Sequence, residues 1–279
     1  AEVKFLVDEL KSWGDSTLEE CLKQTGKRPI PSRWMELNKG DTKNPLVRAR
    51  LVVQETKFRT TMDLTDVGAT FAATPPFECL RLILSECMNG TDLKSSSRVI
   101  MFIDISRAHP HADIRRVVYI TVPNDIPGSS VKLLIKNMYG LKDAPQNFEL
   151  KVTEIMIAIG AVQGLFSSCV FLWHEAWIMV HGDDFFVVGD RATCKEFAAQ
   201  LRKWLIVKVR GVLGPQAELG DISEIIALNR ILRWRRVNGL DQIEIEGDPR
   251  HSALIIDHLG LQQNSKGLTI PSLKQDLSG

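Results

Sequence analysis

Two adjacent aspartates, Asp183 and Asp184, stand in "AWIMVHGDDFFVVGD", residues 176–190, between two strand-forming apolar runs. Gly-Asp-Asp is ordinary turn chemistry, because a tight hairpin asks for Gly and Asp. A hairpin tip can also hold carboxylates toward a hard cation, and Mg²⁺ takes a sparse set of oxygen ligands completed by substrate phosphates. That second reading needs a partner acid from elsewhere. Asp104 supplies it at the end of the apolar run "RVIMFIDISRA", although alone it too reads as a turn residue closing a strand. Carboxylates bridging two Mg²⁺ about 3.5–4 Å apart form a clamp on the attacking and leaving oxygens of nucleotidyl transfer.

The order of elements decides whether these acids can meet. "RVIMFIDISRA" has the near-continuous apolar pattern of a buried central strand. "RVVYITVPND" is a second, inserted strand. "APQNFELKVTEIMIAIGA" places Phe148, Val152, Ile155, Met156 and Ile159 on one helical face. "VFLWHEAWIMVHGDDFFVVGD" gives strands around tight turns, and "RATCKEFAAQLRKWL" a helix opened by a Thr193–Glu196 capping box, with Trp204 in the core. Strand, helix and hairpin in this order make a split β-α-β arrangement, an antiparallel sheet backed by helices. In it the first strand and the hairpin are neighbours, so Asp104 meets the two acids.

Upstream, "VKFLVDELKSWGDSTLEECLKQTG" reads as two short helices, the second opened by a Ser16–Glu19 capping box, with an acidic face that suits the periphery. Arg33 to Phe58 reads as a basic hairpin around "NKGDTKNP". "PPFECLRLILSECMNG" is a helix with Leu80, Ile83, Leu84, Cys87 and Met88 on one face, stopped at Asn89-Gly90. Past Gly211 come a hairpin, "LNRILRWRRVNGLDQIEIEGD", a helix, "HSALIIDHLGL", and a polar, frayed tail. The expected organisation is an N-terminal helical segment at 1–26, the main domain at 27–210 and a further portion at 211–279.

The 279 residues are 44% hydrophobic, enough for a sizeable core, and net charge is only +1 at pH 7. Charge is unevenly distributed: 1–26 is acidic on balance, whereas 27–59 and 202–236 are basic and could flank one anionic groove. Five scattered cysteines without C-x-x-C spacing suit a reducing compartment, cytoplasm (including particles within it) or nucleus rather than secretion. No apolar run has the length of a membrane span. A start without Met or signal peptide reads as a piece of something longer.

These residues together resemble the reverse transcriptase domain of Ty1/copia-type LTR retrotransposon polyproteins. "RARLVV" resembles the K-A-R-L-V-A-K segment of the fingers. "ATFAATPPFECLRLILS" resembles E-T-F-A-P-V and the I-R-L-L-L helix after it, and "FIDISRAHPHADIRRVVYITVPND" the M-D-V-K-T-A-F-L-H-G segment. "KNMYGLKDAPQNFE" follows K-S-L-Y-G-L-K-Q-A-P-R-A-W, and "VHGDDFFVVG" follows Y-V-D-D-I-L-I-T-G. The matches run in order from about Arg33 to Asp190; Y-G-L-K-x-A-P is specific, whereas a lone D-D is not.

The resemblance implies an α+β polymerase palm with a fingers subdomain before it. It implies Asp104, Asp183 and Asp184 as catalytic metal ligands for two Mg²⁺, or Mn²⁺, with an RNA template, a DNA primer and dNTP as partners. Arg48 and Arg50 fall where the fingers touch the triphosphate; the alternative is a solvated basic hairpin. Tyr139, Gly140 and Lys142 fall beside the templating base and nucleotide. His109 stands where a larger aromatic excludes a ribose 2′-hydroxyl. Other departures are Asp143 for Gln, an acid near a phosphate site, Gln146-Asn147-Phe148 for R-A-W, Gln54 for a basic residue, and His181-Gly182 for Tyr-Val.

"RWRR", with Arg233, Trp234 and Arg235, mixes cations and an aromatic as primer-template grooves do, and equally suits the solvated face of a strand. His109 and His111 have H-x-H spacing but no third ligand nearby. Rival readings are a catalytically decayed nucleic-acid-binding remnant, an RNA-directed RNA polymerase, in which G-D-D also occurs, and a ferredoxin-like interaction module.

Overall fold

The computed structural model describes residues 2–55, 70–89, 98–247, 249–262 and 264–267. Ala69, which opens the "ATFAAT" match, Gly90 of the helix stop and the tail from 268 lie outside them. The chain divides into two compact units, Ala1–Ile222 and Ser223–Gly279.

The first unit holds two sheets. One has five strands in the order β1 (Trp13–Ser16), β6 (Val131–Leu134), β5 (Tyr119–Thr121), β2 (Ile30–Asn38), β3 (Val47–Val53). The expected basic hairpin is β2–β3, paired from Ser32↔Val53 to Asn38↔Val47. The expected inserted strand is β5, which joins this sheet through a parallel pairing with β2.

The N-terminal segment departs from expectation. Glu2–Lys4 is a short α-helix that continues into a wider turn over Phe5–Glu9, and Trp13–Ser16 is a strand paired with β6. Phe5 and Leu6 are buried with Leu51, Val53, Ile120 and Leu134, so this segment is part of the core and not peripheral. Burying such a side chain contributes roughly 1.5–3 kcal/mol, which outweighs the segment's acidic surface in deciding where it lies. The following helix, α2 (Leu18–Thr25), is capped one residue later than expected. Thr17 accepts from the Glu20 amide and Glu20 accepts from the Thr17 amide, while Ser16 donates to Glu20.

The second sheet carries the acids. Its order is β11 (Val207–Leu213), β4 (Val99–Ile105), β10 (Asp184–Gly189), β9 (Ala176–His181), β8 (Val170–Trp173), β7 (Val162–Gln163). The apolar run of β4 is central, flanked by β10 and β11, as its continuous pattern requires. Helix α4 (Ala144–Ala158) presents Phe148, Val152, Ile155 and Met156, and α5 (Arg191–Leu201) presents Cys194, Phe197, Ala198 and Leu201. Both sets pack with Ile103, Ile105, Phe185 and Val187 of the sheet. Strand, helix and antiparallel hairpin stand in the split β-α-β order, an α+β palm arrangement.

Helix α3 (Phe77–Met88) buries Leu80, Ile83, Leu84 and Cys87 and lies along β9 and β10. The cap of α5 is Asp190, which accepts from the Ala192 and Thr193 amides, rather than Thr193. Trp204, expected in the core, is half exposed because α5 ends at Leu201 and the chain leaves the apolar stripe. All five cysteines are free and buried. Among the described residues no helix is long and apolar enough to cross a membrane.

The second unit contains a three-stranded antiparallel sheet, β12 (Glu224–Ala227), β13 (Arg230–Val237) and β14 (Leu240–Gly247), and then α6 (Pro249–His258).

Candidate functional site

The three acids gather at one end of the six-stranded sheet. Asp184 opens β10 directly across from Asp104 on β4, and the Asp183 carbonyl accepts from the Ile105 amide at 2.9 Å. Asp183 sits in the two-residue turn between β9 and β10, after Gly182 at φ 62. A hairpin turn with positive φ at its first central residue favours Gly. Turn geometry therefore explains Gly182, and nothing in the turn explains His181, which ends β9.

The carboxylates are not equivalent. Asp104 and Asp183 line a cleft of about 640 Å³ together with Arg48, Arg50, Tyr139 and Lys208. Asp184 instead meets Arg210 of β11, whose Nη1 is 3.4 Å from Asp184 Oδ1. Burial, then the Asp183 charge, pushes the Asp184 carboxyl above the ordinary range; Asp104 adds to this and Arg210 opposes it. Among the described residues no group of three or more His, Cys, Asp or Glu side chains is arranged to hold a metal ion. The donor set of the cleft, two carboxylates beside guanidinium groups, does suit a hard cation that shares its ligands with phosphates.

Of the residues expected around the nucleotide, Arg48, Arg50, Tyr139 and His109 line the cleft or the cavity beside it, whereas Gly140 and Lys142 line neither. The Arg50 guanidinium lies over the Tyr139 ring, 4.4 Å from its centroid, and His109 packs against Tyr139 and Phe148. Burial holds the His109 imidazole below its ordinary pKa; Asp183 opposes that shift and Arg50 adds to it. A second cavity, about 370 Å³, adjoins the cleft and shares Arg50, Tyr139 and Asp183 with it. His109, Phe148, Glu149 and His181 line that cavity, and the buried Nδ1 atoms of both histidines have no hydrogen-bond partner among the described residues.

Gly140 is required sterically. Its φ is +90, and a Cβ there would sit 1.9 Å from the Val53 carbonyl oxygen. Beside it the Val53 amide donates to the Tyr139 carbonyl at 2.7 Å, which holds this turn against β3. Lys142 contributes its amide to Glu55 at 2.9 Å.

Asp143, expected to bring negative charge toward bound phosphates, is turned inward and paired with Arg116. Burial would raise its carboxyl, but the hydrogen bonds and charge of Arg116 outweigh that and lower it. Gln146-Asn147-Phe148 is likewise absorbed: Asn147 bonds Asn137 and Asp143, and Phe148 is core.

The "RWRR" strand is β13. Arg233 pairs with Glu224 and Glu246, Arg235 with Glu244, and Trp234 is buried. These cations already face carboxylates of their own sheet, and the indole ring offers no open stacking face. Glu244 and Glu246 alternate in "QIEIEG", a sequence signal that could have revealed the pairing. Lys208 and Arg210 belong to the basic stretch at 202–236, but only the folded sheet brings them beside the acids, Lys208 opposite Asp104 and Arg210 on Asp184.

A family model described as reverse transcriptase (RNA-dependent DNA polymerase) matches residues 19–229. The "Retrovirus-related Pol polyprotein from transposon TNT 1-94" of Nicotiana tabacum is 25% identical over 209 residues, covering 71% of this chain. The chain spans 14% of that relative's length. Among solved structures, a foamy viral protease-reverse transcriptase in complex with double-stranded DNA matches 76% of this chain and 32% of its own. Its identity is 14% and the TM-score 0.41.

Proposed function

From this chain's membership of the reverse transcriptase (RNA-dependent DNA polymerase) family of Ty1/copia-type elements, we propose that it extends a DNA primer on an RNA template. The observation that carries the reading is the cleft in which Asp104 and Asp183 face Arg48, Arg50 and Tyr139. The primer 3′-oxygen attacks the α-phosphorus of a dNTP; the new phosphodiester bond forms as the α–β bond breaks, and pyrophosphate leaves.

Arg48 and Arg50 bind the triphosphate, whose oxygens suit planar guanidinium donors. Tyr139 holds Arg50 in place through ring contact. Gly140 keeps its turn close enough to β3 for both to reach one nucleotide. His109, packed on Tyr139, faces the sugar. Asp104 and Asp183, with Asp184 beside them, would hold divalent cations, which this family generally uses. Bound there, such cations would neutralise phosphate charge and acidify the attacking hydroxyl.

RNA-templated primer extension with Mg²⁺ and dNTPs tests this. Templated incorporation by the wild type and its loss in Asp183→Asn are expected; a folded wild type without incorporation ends the reading. A second reading, a nucleic-acid-binding remnant without catalysis, is favoured by Asp184 being held on Arg210. It is distinguished by salt-sensitive binding without extension.

A further inference from the structure

Two buried carboxylates that the chemistry above does not use, Glu55 and Asp143, share one guanidinium. Arg116 donates from Nη1 and Nη2 to the two Glu55 oxygens at 2.9 and 2.7 Å. From Nε and Nη2 it donates to the two Asp143 oxygens, both at 2.9 Å. The side chains of Glu55 and Asp143 are 2% and 11% exposed, so both acceptors are buried, whereas the Arg116 side chain that bridges them is 38% exposed.

Glu55 follows the end of β3, and Asp143 is the residue before α4. Between these anchor points lies the turn that carries Tyr139 and Gly140. It is attached once to β3, where Val53 donates to the Tyr139 carbonyl, and once just beyond it, where the Lys142 amide donates to Glu55. Arg50, on β3, lies over the Tyr139 ring.

We propose that Arg116 is a positioning residue for the nucleotide site: by bridging Glu55 and Asp143 it locks the Tyr139–Asp143 turn against β3 and so sets Arg50 on Tyr139. The planar fork of an Arg can satisfy two carboxylates at once, whereas the ammonium of a Lys is a point charge on a flexible stem. Asn147 extends the lock, donating to Asp143 at 3.2 Å and to Asn137 at 3.1 Å. Asn137 in turn donates to the carbonyls of Ala112 and Asp113. No atom of Arg116 lines the cleft or the cavity beside Asp183. Its effect on the nucleotide therefore passes through Tyr139 and Arg50.

The inference rests on the function proposed above, and its test is R116K in the full chain, beside wild type. The expected result is a dNTP KM raised about tenfold with kcat within about threefold. Hydrogen exchange at the Lys142 amide, slow in the wild type, is expected to accelerate in R116K. An unchanged KM in folded R116K overturns the inference, and so does a raised KM without faster exchange at Lys142. If R116K does not fold, D143N, which keeps an oxygen acceptor for Asn147 but loses the charge, is measured in the same way, and the same split or its absence decides. A wild type that incorporates no dNTP defeats the proposed function and the inference with it; a wild type that incorporates dNTP beside an unaffected R116K defeats the inference alone.

Discussion

Asp184 and Asp104 are cross-strand partners, opposite each other at the end of the β10–β4 ladder. Side chains directly opposite in an antiparallel pair lie about 4.5–5.5 Å apart at Cβ. Burial and then the Asp183 charge keep Asp184 above the ordinary carboxylate range, and repulsion from Asp104 adds to them. Strand pairs do not normally place two acids opposite each other without a cation to reward it. Arg210 supplies part of that reward to Asp184, while Lys208 is the register partner of Asp104 on its other side.

Gly140→Ala is expected to destabilise the fold by at least about 1–3 kcal/mol, because the residue must hold positive φ and its Cβ would overlap the Val53 carbonyl. Urea unfolding measures this. A loss within a few tenths of a kcal/mol would contradict the close approach of that turn to β3.

His109→Ala is expected to lower preference for dNTP over rNTP, since the imidazole packs on Tyr139, which lines the cleft, and itself lines the cavity beside it. Parallel kcat/KM measurements with each nucleotide give the ratio. A ratio equal to wild type would remove His109 from sugar selection.

Arg233→Ala and Arg235→Ala are expected to leave the salt dependence of nucleic-acid binding unchanged, because both cations are matched by Glu224, Glu244 and Glu246. Binding titrations at several salt concentrations check this. A slope that falls by about one for each Arg removed would make them backbone contacts after all.

Asp221 is expected to shape part of the loss of stability at acid pH. Burial alone would raise its carboxyl, yet the Arg191 hydrogen bonds and the Gln216 amide hold it below the ordinary value. A depressed folded pKa gives stability that is complete above the unfolded value of about 3.9 and is lost as pH falls through the lower folded value. Asp221→Asn should therefore be less stable near neutrality and lose less on acidification below pH about 4. Thermal unfolding across pH reads both, and parallel acid limbs would exclude the ion pair as their cause.

The chain order of β4, α4 and the β9–β10 hairpin was legible because each element has its own period, and periodicity together with the split β-α-β rule put Asp104 beside Asp184. Caps were harder. Ser16-Thr17 and Glu19-Glu20 are doubled, so two capping boxes fit the same letters and the backbone selects the second. Asp190 displaces Thr193 as cap of α5 because it stands three residues earlier and accepts two amides. The N-terminal strand Trp13–Ser16 has no alternation of its own, and pairing with β6 decides its conformation. Nothing local links Glu55 to Arg116 across 61 residues, or Arg116 to Asp143 across 27; only the folded chain makes them one cluster.

The most direct test of the central claim is RNA-templated primer extension by Asp104→Asn, Asp183→Asn and Asp184→Asn beside wild type, each verified as folded. Wild type should incorporate templated dNTPs, and Asp104→Asn and Asp183→Asn, whose carboxylates line the cleft, should each lose at least about 10³-fold in kcat. Asp184→Asn, whose carboxylate is held by Arg210, should lose less. Extension by folded Asp183→Asn at the wild-type rate, or its absence from folded wild type, would contradict the claim.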